Sequence, residues 1–435
     1  MLGGRPWVIV AGAPAPSLRF AARLRALGAP APFVVTDRPP EAPVPADDAA
    51  GVVAVESSGD SAAASIRAYH EAAAGLSGPG LAALDRWDPS RSAMVLGSQF
   101  LDSERVAHRR VWARRQPAWR ALEDKVVVDA LWDAAGVPRA PAEVLPARPA
   151  ELRAAAARLD RGAGTVWAAD ARDGWTGGGE GLRWVRSRRE AKAAAAWLRE
   201  RSDLVRVMPF LEGIPCSVHG LVSDHVVAAL RPVEMLTLRR PDGRLVYAGT
   251  ATYWDPRSAE REAMRAVARR VGATLRERVG YRGGFTVDGV MTGDGFRPTE
   301  LNARHGAGLW VVGAAAPELE LDLVAEALQA GERLDLDLAW LEAAALDASD
   351  RDRRGRLLVW VAEPAAPREV TVAGALVRVA AGTMGGALMG DLAGVPVGAS
   401  AAPRAVEVIA AADAALGLGI GPLAAARPAQ AAGPP

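Results

Sequence analysis

The chain has 435 residues, 50% of them hydrophobic, with 52 basic and 51 acidic side chains. This length predicts about two to four globular domains, and the balanced, interspersed charges argue against a nucleic-acid or anionic-membrane partner. The single cysteine, Cys216, excludes an internal disulfide and fits a reducing cytoplasm, and no apolar run reaches the roughly 18 residues of a membrane span.

Residues 1–115 alternate short apolar runs with Ala/Arg-rich segments. The predicted strands are residues 7–11, 33–36, 52–55 and 93–97. Strands that alternate with helices favour a parallel sheet covered by helices, so we predict an N-terminal α/β domain. The turn after the first strand lacks a G-x-G-x-x-G pattern, which argues against a dinucleotide site there.

Residues 116–205 form the next predicted region, and its first helix contains an unusual lysine. The predicted elements are helices over 122–135, 149–159 and 188–200 and a strand over 165–169. Lys125 and Lys192 are the only lysines, against 50 arginines, so the presence of a lysine at either position needs an explanation. A solvated helix face explains Lys192, whereas Lys125 lies off the apolar stripe of its helix and is a candidate functional residue.

A glycine-rich segment, residues 173–181, follows the strand over 165–169 and includes Gly177, Gly178 and Gly179. Glycines let backbone N–H groups approach phosphate oxygens closely, so this segment is a candidate polyphosphate cradle. No Gly-Lys-Ser/Thr follows, which excludes a Walker A loop. An ordinary flexible hairpin turn is the alternative.

Residues 206–334 are rich in predicted strands. The predicted elements are strands over 204–210, 216–222, 225–230 and 245–252 and helices over 259–279 and 318–329. The first of these strands ends at Met208, Phe210, Leu211 and Glu212, where backbone groups could face a purine edge while Met and Phe pack on its face. Plain core packing is the alternative.

The segment over 280–306 predicts a hairpin with a polar face. Two strands, 285–291 and 296–304, flank the turn residues 292–295. With a three-residue loop, Asp288 lies opposite Glu300, and the period of two puts Asn302 and Arg304 on the same face. Opposed carboxylates persist most readily with a hard cation such as Mg²⁺ between them, and a solvated outer face is the alternative.

Residues 335–425 are predicted to form a small α+β domain. Its expected elements are strands over 357–361 and 375–379 and a helix over 405–415. Residues 426–435 have the composition of a disordered tail.

In this order, Lys125, the glycine-rich segment, the apolar strand and the hairpin resemble the ATP-grasp superfamily over residues 117–314. The hairpin is the specific part, since an acid followed twelve residues later by Glu-x-Asn-x-Arg is similar to that family's metal and phosphate signature. The resemblance implies an α/β (α+β) architecture. An N-terminal parallel-sheet domain precedes a two-lobed ATP-grasp fold, with its small lobe over 116–205 and its large lobe over 206–334, and the C-terminal domain follows.

The resemblance also implies roles for these residues. Asp288, Glu300 and Asn302 would bind Mg²⁺, or Mn²⁺ in its place, on the ATP phosphates. Arg304 would stabilise an acyl-phosphate or its tetrahedral successor. The nucleotide would be held by the remaining candidates, which are Lys125 at the phosphates, the glycines of the loop, and Met208, Phe210 and Leu211 at the adenine.

Two positions depart from the family pattern. Ala168 or Ala169 stands where many members carry a second phosphate-binding lysine, and Arg172 is a candidate substitute because a guanidinium binds phosphate bidentately. Pro215 stands near the register of the ribose-binding glutamate, which leaves Glu212 as the substitute.

Arg231 and His305 are the candidate substrate contacts. Arg231 is predicted to clamp a substrate carboxylate or phosphate, with a surface ion pair to Glu234 as the alternative. The predicted function is an ATP- and Mg²⁺-dependent carboxylate–amine ligase acting on an amino acid or peptide. A small-molecule kinase on the same fold and a non-catalytic ATP-binding protein are the alternatives, and the sequence leaves open whether the chain forms a homodimer.

Overall fold

A computed structural model describes residues 2–59, 62–172, 174, 178–382 and 385–426. The chain divides into two compact units. The first contains Met1–Gln116, Ala362–Arg368 and Val379–Ala387, and the second contains Pro117–Val361, Glu369–Arg378 and Leu388–Pro435. The expected tail over 426–435 lies outside the described residues apart from residue 426. None of the described helices is long and apolar enough to cross a membrane.

The first unit is built on a parallel sheet. Its elements are β1 (Trp7–Gly12), α1 (Pro14–Ala26), β2 (Phe33–Thr36), β3 (Gly51–Ala54), α2 (Ala62–Ala74), α3 (Gly78–Trp87), β4 (Met94–Gly97), β5 (Arg105–Val106) and β6 (Arg109–Arg110). The strand order is β3-β2-β1-β4, and every pairing in it is parallel. The predicted N-terminal parallel sheet is therefore confirmed.

The second unit begins with a small antiparallel sheet. Its elements are α4 (Pro117–Arg120), a 3-10 helix (Ala121–Glu123), α5 (Val128–Ala134), β7 (Glu143–Pro146), α6 (Pro149–Leu159), β8 (Thr165–Ala169), β9 (Leu182–Val185), α7 (Arg188–Arg201) and β10 (Leu204–Pro209). The strand order is β7-β10-β8-β9. Leu152 and Ala155 of α6 and Ala195 and Leu198 of α7 pack on Trp167 in the core of this sheet.

A larger antiparallel sheet follows. The elements up to β17 are β11 (Ile214–Val222), β12 (Val227–Ala229), β13 (Val233–Arg239), β14 (Leu245–Ala251), α8 (Ser258–Val279), β15 (Gly283–Thr292), β16 (Gly295–Asn302), α9 (Ala307–Gly313), a 3-10 helix (Pro317–Leu319), α10 (Leu321–Gln329), α11 (Leu338–Arg351) and β17 (Gly355–Val361). The last elements are β18 (Arg368–Val372), β19 (Ala375–Gly382), β20 (Gly385–Asp391) and α12 (Ala402–Leu416).

Within the second unit the strands run β16-β15-β11-β13-β14-β17. Strand β13 was not predicted, although it occupies the middle of this sheet. Because β17 pairs with β14, the first strand of the region expected to form a C-terminal domain belongs to the large sheet.

The two faces of this sheet differ in chemistry. Helix α8 covers one face, where its Val271 and Leu275 pack with Val218, Phe285 and Val287 of the strands. Each such buried side chain contributes about 1.5–3 kcal/mol to folding. Because side chains alternate along a strand, Ser217, Thr286 and Asp288 lie on the opposite face. That polar face carries the candidate site.

Candidate active site

The hairpin of β15 and β16 has the predicted carboxylate pair, but it reaches this pairing by a different turn. Asp288 lies opposite Glu300. Thr292 pairs with Gly295, so the predicted three-residue loop is wrong and the loop has two residues. An irregularity after Asp288 leaves Thr299 without a partner in β15, and this β-bulge restores the Asp288–Glu300 register.

A chain of hydrogen bonds connects the polar side chains of this face. The Ser217 hydroxyl donates to one Asp288 carboxylate oxygen at 2.5 Å, and the Asn302 amide donates to the other at 2.9 Å. The Arg304 guanidinium donates to the Asn302 amide oxygen at 2.9 Å, and it lies 3.8 Å from Glu123. The structure therefore brings together Asp288, Asn302 and Arg304 as the sequence predicted.

Glu300 and Lys125 form a second contact in the same group. The Lys125 ammonium lies 3.0 Å from a Glu300 carboxylate oxygen, and only 11% of the lysine side chain is exposed. Lys125 therefore contacts Glu300 of the predicted metal site, although the two residues are 175 positions apart in sequence. A metal ion could take the place of this ammonium as the cation bound to Glu300.

Lys125 does not lie in a helix. The predicted helix over 122–135 is interrupted, because the 3-10 helix ends at Glu123 and α5 starts at Val128. The Asp124 carboxylate accepts a hydrogen bond from the Val126 amide at 3.1 Å, a local turn that competes with helical hydrogen bonding. The turn projects Lys125 toward β16 rather than along a helix face.

The charge state of Asp288 reflects its surroundings. Burial and the neighbouring Glu300 carboxylate raise the pKa of Asp288 to about 7, while Ser217, Arg304 and Lys125 act in the opposite direction. Two carboxylates in one buried site disfavour each other's ionised form. A divalent cation between them would offset that repulsion and favour the charged form of both.

These residues fit Mg²⁺ only if a ligand supplies further oxygens. Among the residues that the structure describes, no group of three or more His, Cys, Asp or Glu side chains is placed to hold a metal ion. Mg²⁺ in phosphate chemistry is usually held by one or two carboxylates together with substrate phosphates and water. Asp288 and Glu300 supply two carboxylates, so the site fits a metal that binds with a nucleotide.

Arg206 of β10, in the small sheet, contacts β16 next to Glu300. Its guanidinium forms two hydrogen bonds to Asp129, at 2.7 and 2.8 Å, and a longer one of 3.5 Å to the backbone oxygen of Thr299 in the bulge. Arg206 pairs directly with Ala168, one of the two positions at which the resemblance leads us to expect a lysine. A buried cation therefore lies beside that position, but its donors are already engaged.

The predicted adenine contacts lie at the end of β10. The Phe210 ring stacks on Trp184 with centroids 4.1 Å apart, and the Arg239 guanidinium lies over Phe210 at 4.8 Å. Arg239 also pairs with Glu212 at 2.8 Å. Met208 is buried and its sulfur accepts from Arg206, whereas Leu211 is only partly buried. Aromatic, cationic and acidic groups thus meet where the sequence predicted a nucleotide base and ribose.

The glycine-rich segment is only partly described. Gly177 lies outside the described residues. Gly178 and Gly179 have φ of +61° and +85°, backbone conformations that favour glycine. A side chain at Gly179 would come 3.2 Å from the backbone oxygen of Leu245, so this segment lies against β14.

Two predicted arginines are held elsewhere by ion pairs. Arg172 pairs with Asp203 at 3.2 Å and donates to the backbone oxygen of Glu200 at 2.6 Å. Arg231 is buried and pairs with Asp255 and Asp350, not with Glu234 as the alternative proposed. Either guanidinium would have to leave carboxylate partners before it could bind a phosphate or substrate.

His305 follows Arg304 and lies beside a second, buried histidine. Burial, together with the charge of His305, lowers the pKa of His219 to about 3. A side chain at Gly308 would come within 2.4 Å of the His219 ring, so α9 packs closely on the polar face of the sheet. His219 therefore stays neutral, and its ring packs against Gly306 and Gly308, just after His305.

Sequence reasoning did not find Ser217, Glu123 or Arg206. Each is a common residue type without a motif, and each acquires its contact only through strand pairing or packing between distant segments. No local signal in the sequence distinguishes them.

Solved structures share this fold. A carboxyaminoimidazole ribonucleotide synthase from Aspergillus clavatus, complexed with ATP, is 15% identical with a TM-score of 0.56, and the match covers 95% of this chain and 100% of that one. A phosphoribosylamine–glycine ligase from Thermotoga maritima is 16% identical with a TM-score of 0.55, and the match covers 93% and 96%.

A Rhizobium etli pyruvate carboxylase is 18% identical with a TM-score of 0.58 over 94% of this chain and 37% of its own. No family model matches the sequence, and no curated protein matches it. The mixed α/β fold, with an N-terminal parallel sheet and a large antiparallel sheet, agrees with these structures, so the predicted fold class is confirmed.

Proposed function

We propose that this chain, which has the ATP-grasp fold, is an ATP- and Mg²⁺-dependent ligase that joins a carboxylate to an amine. We further propose an amino acid or a peptide as substrate. One observation carries the proposal: Lys125, Glu300, Asp288, Asn302 and Arg304 meet on one face of the large sheet through direct contacts.

The proposed reaction has two steps. A substrate carboxylate oxygen attacks the terminal phosphorus of ATP, which forms an acyl phosphate and releases ADP. The amine then attacks the acyl carbon, the C–O bond to phosphate breaks, and inorganic phosphate leaves while the nitrogen loses a proton. Both steps move negative charge between oxygens, so fixed cations and hydrogen-bond donors supply the catalysis.

Different side chains of this chain would bind the metal, orient its ligands and stabilise the developing charge. Asp288 and Glu300 would hold Mg²⁺, with Asn302 beside them, and the metal would neutralise phosphate charge. Ser217 and Asn302 fix the Asp288 carboxylate from both oxygens. Arg304 is held by Asn302 and Glu123, so its guanidinium is oriented at the site where an oxyanion would form without further loss of side-chain freedom.

The nucleotide would extend from Lys125 toward the stacked Phe210 and Trp184. When ATP and metal bind, Lys125 would leave Glu300 and contact a phosphate oxygen. The metal would then neutralise the Glu300 carboxylate in place of the lysine. Gly178 and Gly179 would approach the phosphates, and Met208, Phe210 and Leu211 would contact the base. Glu212 would bind the ribose after release from Arg239.

The neighbours in fold support the same chemistry. Two are named as a phosphoribosylamine–glycine ligase and as a carboxyaminoimidazole ribonucleotide synthase with ATP bound, and another structure of the latter contains ADP and 5-aminoimidazole ribonucleotide. Both names indicate small-molecule substrates, and the structure of the synthase contains ATP. We propose small-molecule acid and amine substrates for this chain on that basis.

The function is tested by incubating the full chain with ATP, Mg²⁺ and pools of amino acids and dipeptides. Ligation releases ADP and free phosphate and gives a product lighter than its two substrates together by one water. Phosphate retained on an acceptor would identify a kinase instead. A thermal-shift response to ATP with Mg²⁺ but no phosphate release from any pool would identify a non-catalytic binding protein.

Replacing Lys125 by alanine is expected to weaken binding of Mg²⁺–ATP by about 10- to 100-fold. The reason is the loss of one charge-assisted contact to a phosphate, worth about 1.5–3 kcal/mol. Calorimetric titration with a non-hydrolysable ATP analogue measures the change.

The chain offers a matched control, because Lys192 is its only other lysine and is exposed on α7. Lys192→Ala should bind the analogue as the unchanged protein does. Amine-reactive labelling adds a second readout: Mg²⁺–ATP should protect Lys125 and leave Lys192 reactive. Equal affinity in the two alanine variants would contradict the assignment of Lys125.

A further inference from the structure

Arg356 of β17 is partly buried and has no ion pair within the described part of the chain. Its neighbours behave differently, since Arg353 pairs with Asp255 at 3.0 Å and Arg354 with Asp352 at 2.6 Å. The buried Arg206 and Arg231 are also paired with carboxylates. A partly desolvated guanidinium without an anion is unfavourable, so Arg356 is suited to take up an anionic partner.

The strand register places Arg356 on the same face as the candidate active site. Arg356 pairs with Thr250, Thr250 with Met235, and Val233, two residues before Met235, with Ser217. Ser217 in turn pairs with Asp288. Directly paired residues point to one face of a sheet, so Arg356 and Asp288 share it.

Helix α9 forms one wall beside this face. Its Trp310 lies under the Arg356 guanidinium, with 4.8 Å between the guanidinium carbon and the ring centroid, and 42% of Trp310 is exposed. The same helix begins at Ala307, three residues after Arg304, and packs through Gly308 on Val233. An aromatic ring holds a guanidinium flat and leaves its edges available for a bidentate contact with an oxyanion.

Tyr247 adds a neutral hydroxyl between the two ends of the face. Burial raises the pKa of Tyr247 further above its ordinary value, so its hydroxyl stays protonated. An extra residue in β14 brings Tyr247 and Thr250 to one face, where Gly249 has φ of +128°. A side chain at Gly249 would lie 1.9 Å from the Arg356 backbone oxygen, so only glycine fits this bulge.

We propose that Arg356, stacked on Trp310 and flanked by Tyr247 and Thr250, binds a non-reacting carboxylate or phosphate of one substrate. The proposal rests on the proposed ligase function and deepens it, because it requires a substrate with a second anionic group. The backbones at Asp288 and Arg356 are four strand spacings apart, roughly 19 Å. The terminal phosphate of ATP and one small substrate, placed end to end, can span the distance between Asp288 and Arg356.

The test measures binding to the full chain in the presence of Mg²⁺ and a non-hydrolysable ATP analogue. One probe pair is N-acetyl-alanyl-alanine with its C-terminal amide, and the other is ribose 5-phosphate with ribose. The proteins are the unchanged chain, Arg356→Gln, Arg356→Lys and the control Arg354→Gln, which removes an exposed, paired arginine just before β17.

The unchanged chain is expected to bind one anionic probe at least about 10-fold more tightly than its neutral counterpart. Arg356→Gln should lose that preference while retaining affinity for the ATP analogue, Arg356→Lys should recover part of it, and Arg354→Gln should keep it. A preference confined to the first probe pair identifies a carboxylate subsite, and one confined to the second a phosphate subsite.

Equal binding of charged and neutral probes by the unchanged chain overturns the proposal, as does a preference that persists in Arg356→Gln. The binding readout does not depend on turnover. An Arg356-dependent preference in a protein that releases no phosphate from any pool would therefore reject the ligase function and retain the anion subsite.

Discussion

Glu300→Gln is expected to reduce ATP-dependent phosphate release by roughly 10³-fold while leaving the protein folded. The substitution removes one of two opposed carboxylates that would hold Mg²⁺, and a bound metal supplies several kcal/mol of charge stabilisation in the transition state. Glutamine keeps the size of the side chain. Initial rates of phosphate release at saturating ATP measure the effect.

Stability without ligand should not fall together with activity. Glu300 raises the pKa of Asp288, so its neutralisation removes an unfavourable interaction, although Lys125 loses its partner. The melting temperature without ligand should therefore stay close to that of the unchanged chain, and the stabilisation by Mg²⁺–ATP should disappear.

Asp294→Asn is the matched control, because Asp294 is an exposed carboxylate at the turn of the same hairpin. It should change neither rate nor melting temperature. Full turnover in Glu300→Gln would rule out the metal assignment, and loss of folding would show that the carboxylate is structural.

The pairing of Asp288 with Glu300 was predictable from the sequence, but the turn and the bulge that produce it were not. The prediction combined a three-residue loop with regular pairing, and the structure combines a two-residue loop with a bulge at Thr299. These two one-residue differences cancel at Asp288, so the same side chains meet. Alternation along a strand reveals which residues share a face, whereas a bulge depends on how both strands pack, and local sequence does not specify it.

Lys125 shows the limit of helical periodicity. Its apolar neighbours fit a helix, yet the Asp124 side chain satisfies a backbone amide locally and breaks the helix where the lysine lies. The rarity of lysine in this chain identified the residue correctly as a candidate, while its contact with Glu300 required the folded chain. Composition thus supplied the candidate, and tertiary packing supplied the contact.

Arg356 was not predictable, because nothing in the sequence separates it from the other arginines. Arg231 was chosen instead from its polar neighbourhood, and the structure surrounds Arg231 with Asp255 and Asp350. What distinguishes Arg356 is its position over the Trp310 ring, together with strand pairings that connect it to Asp288. Both properties arise from contacts between segments that are distant in sequence.

Arg304→Ala is expected to lower kcat by about 10²- to 10³-fold and to change the affinity for Mg²⁺–ATP by only a few-fold. The loss matches the removal of one oriented donor at a developing oxyanion. Arg304 is suited to that role because Asn302 and Glu123 already fix it and only 14% of its side chain is exposed. Steady-state kinetics and calorimetric titration with an ATP analogue separate the two quantities.

Two further variants decide whether charge at this position or general damage to the hairpin causes the loss. Arg304→Lys retains the cation and should recover about 10-fold in kcat, but not all of it, because lysine lacks the planar pair of donors. Arg297→Ala removes an arginine of β16, seven residues before Arg304, that has no ion pair among the described residues, and it should retain full activity. If Arg304→Ala kept the kcat of the unchanged chain, the charge on the reacting oxygens would have to be stabilised by the metal and Lys125 alone.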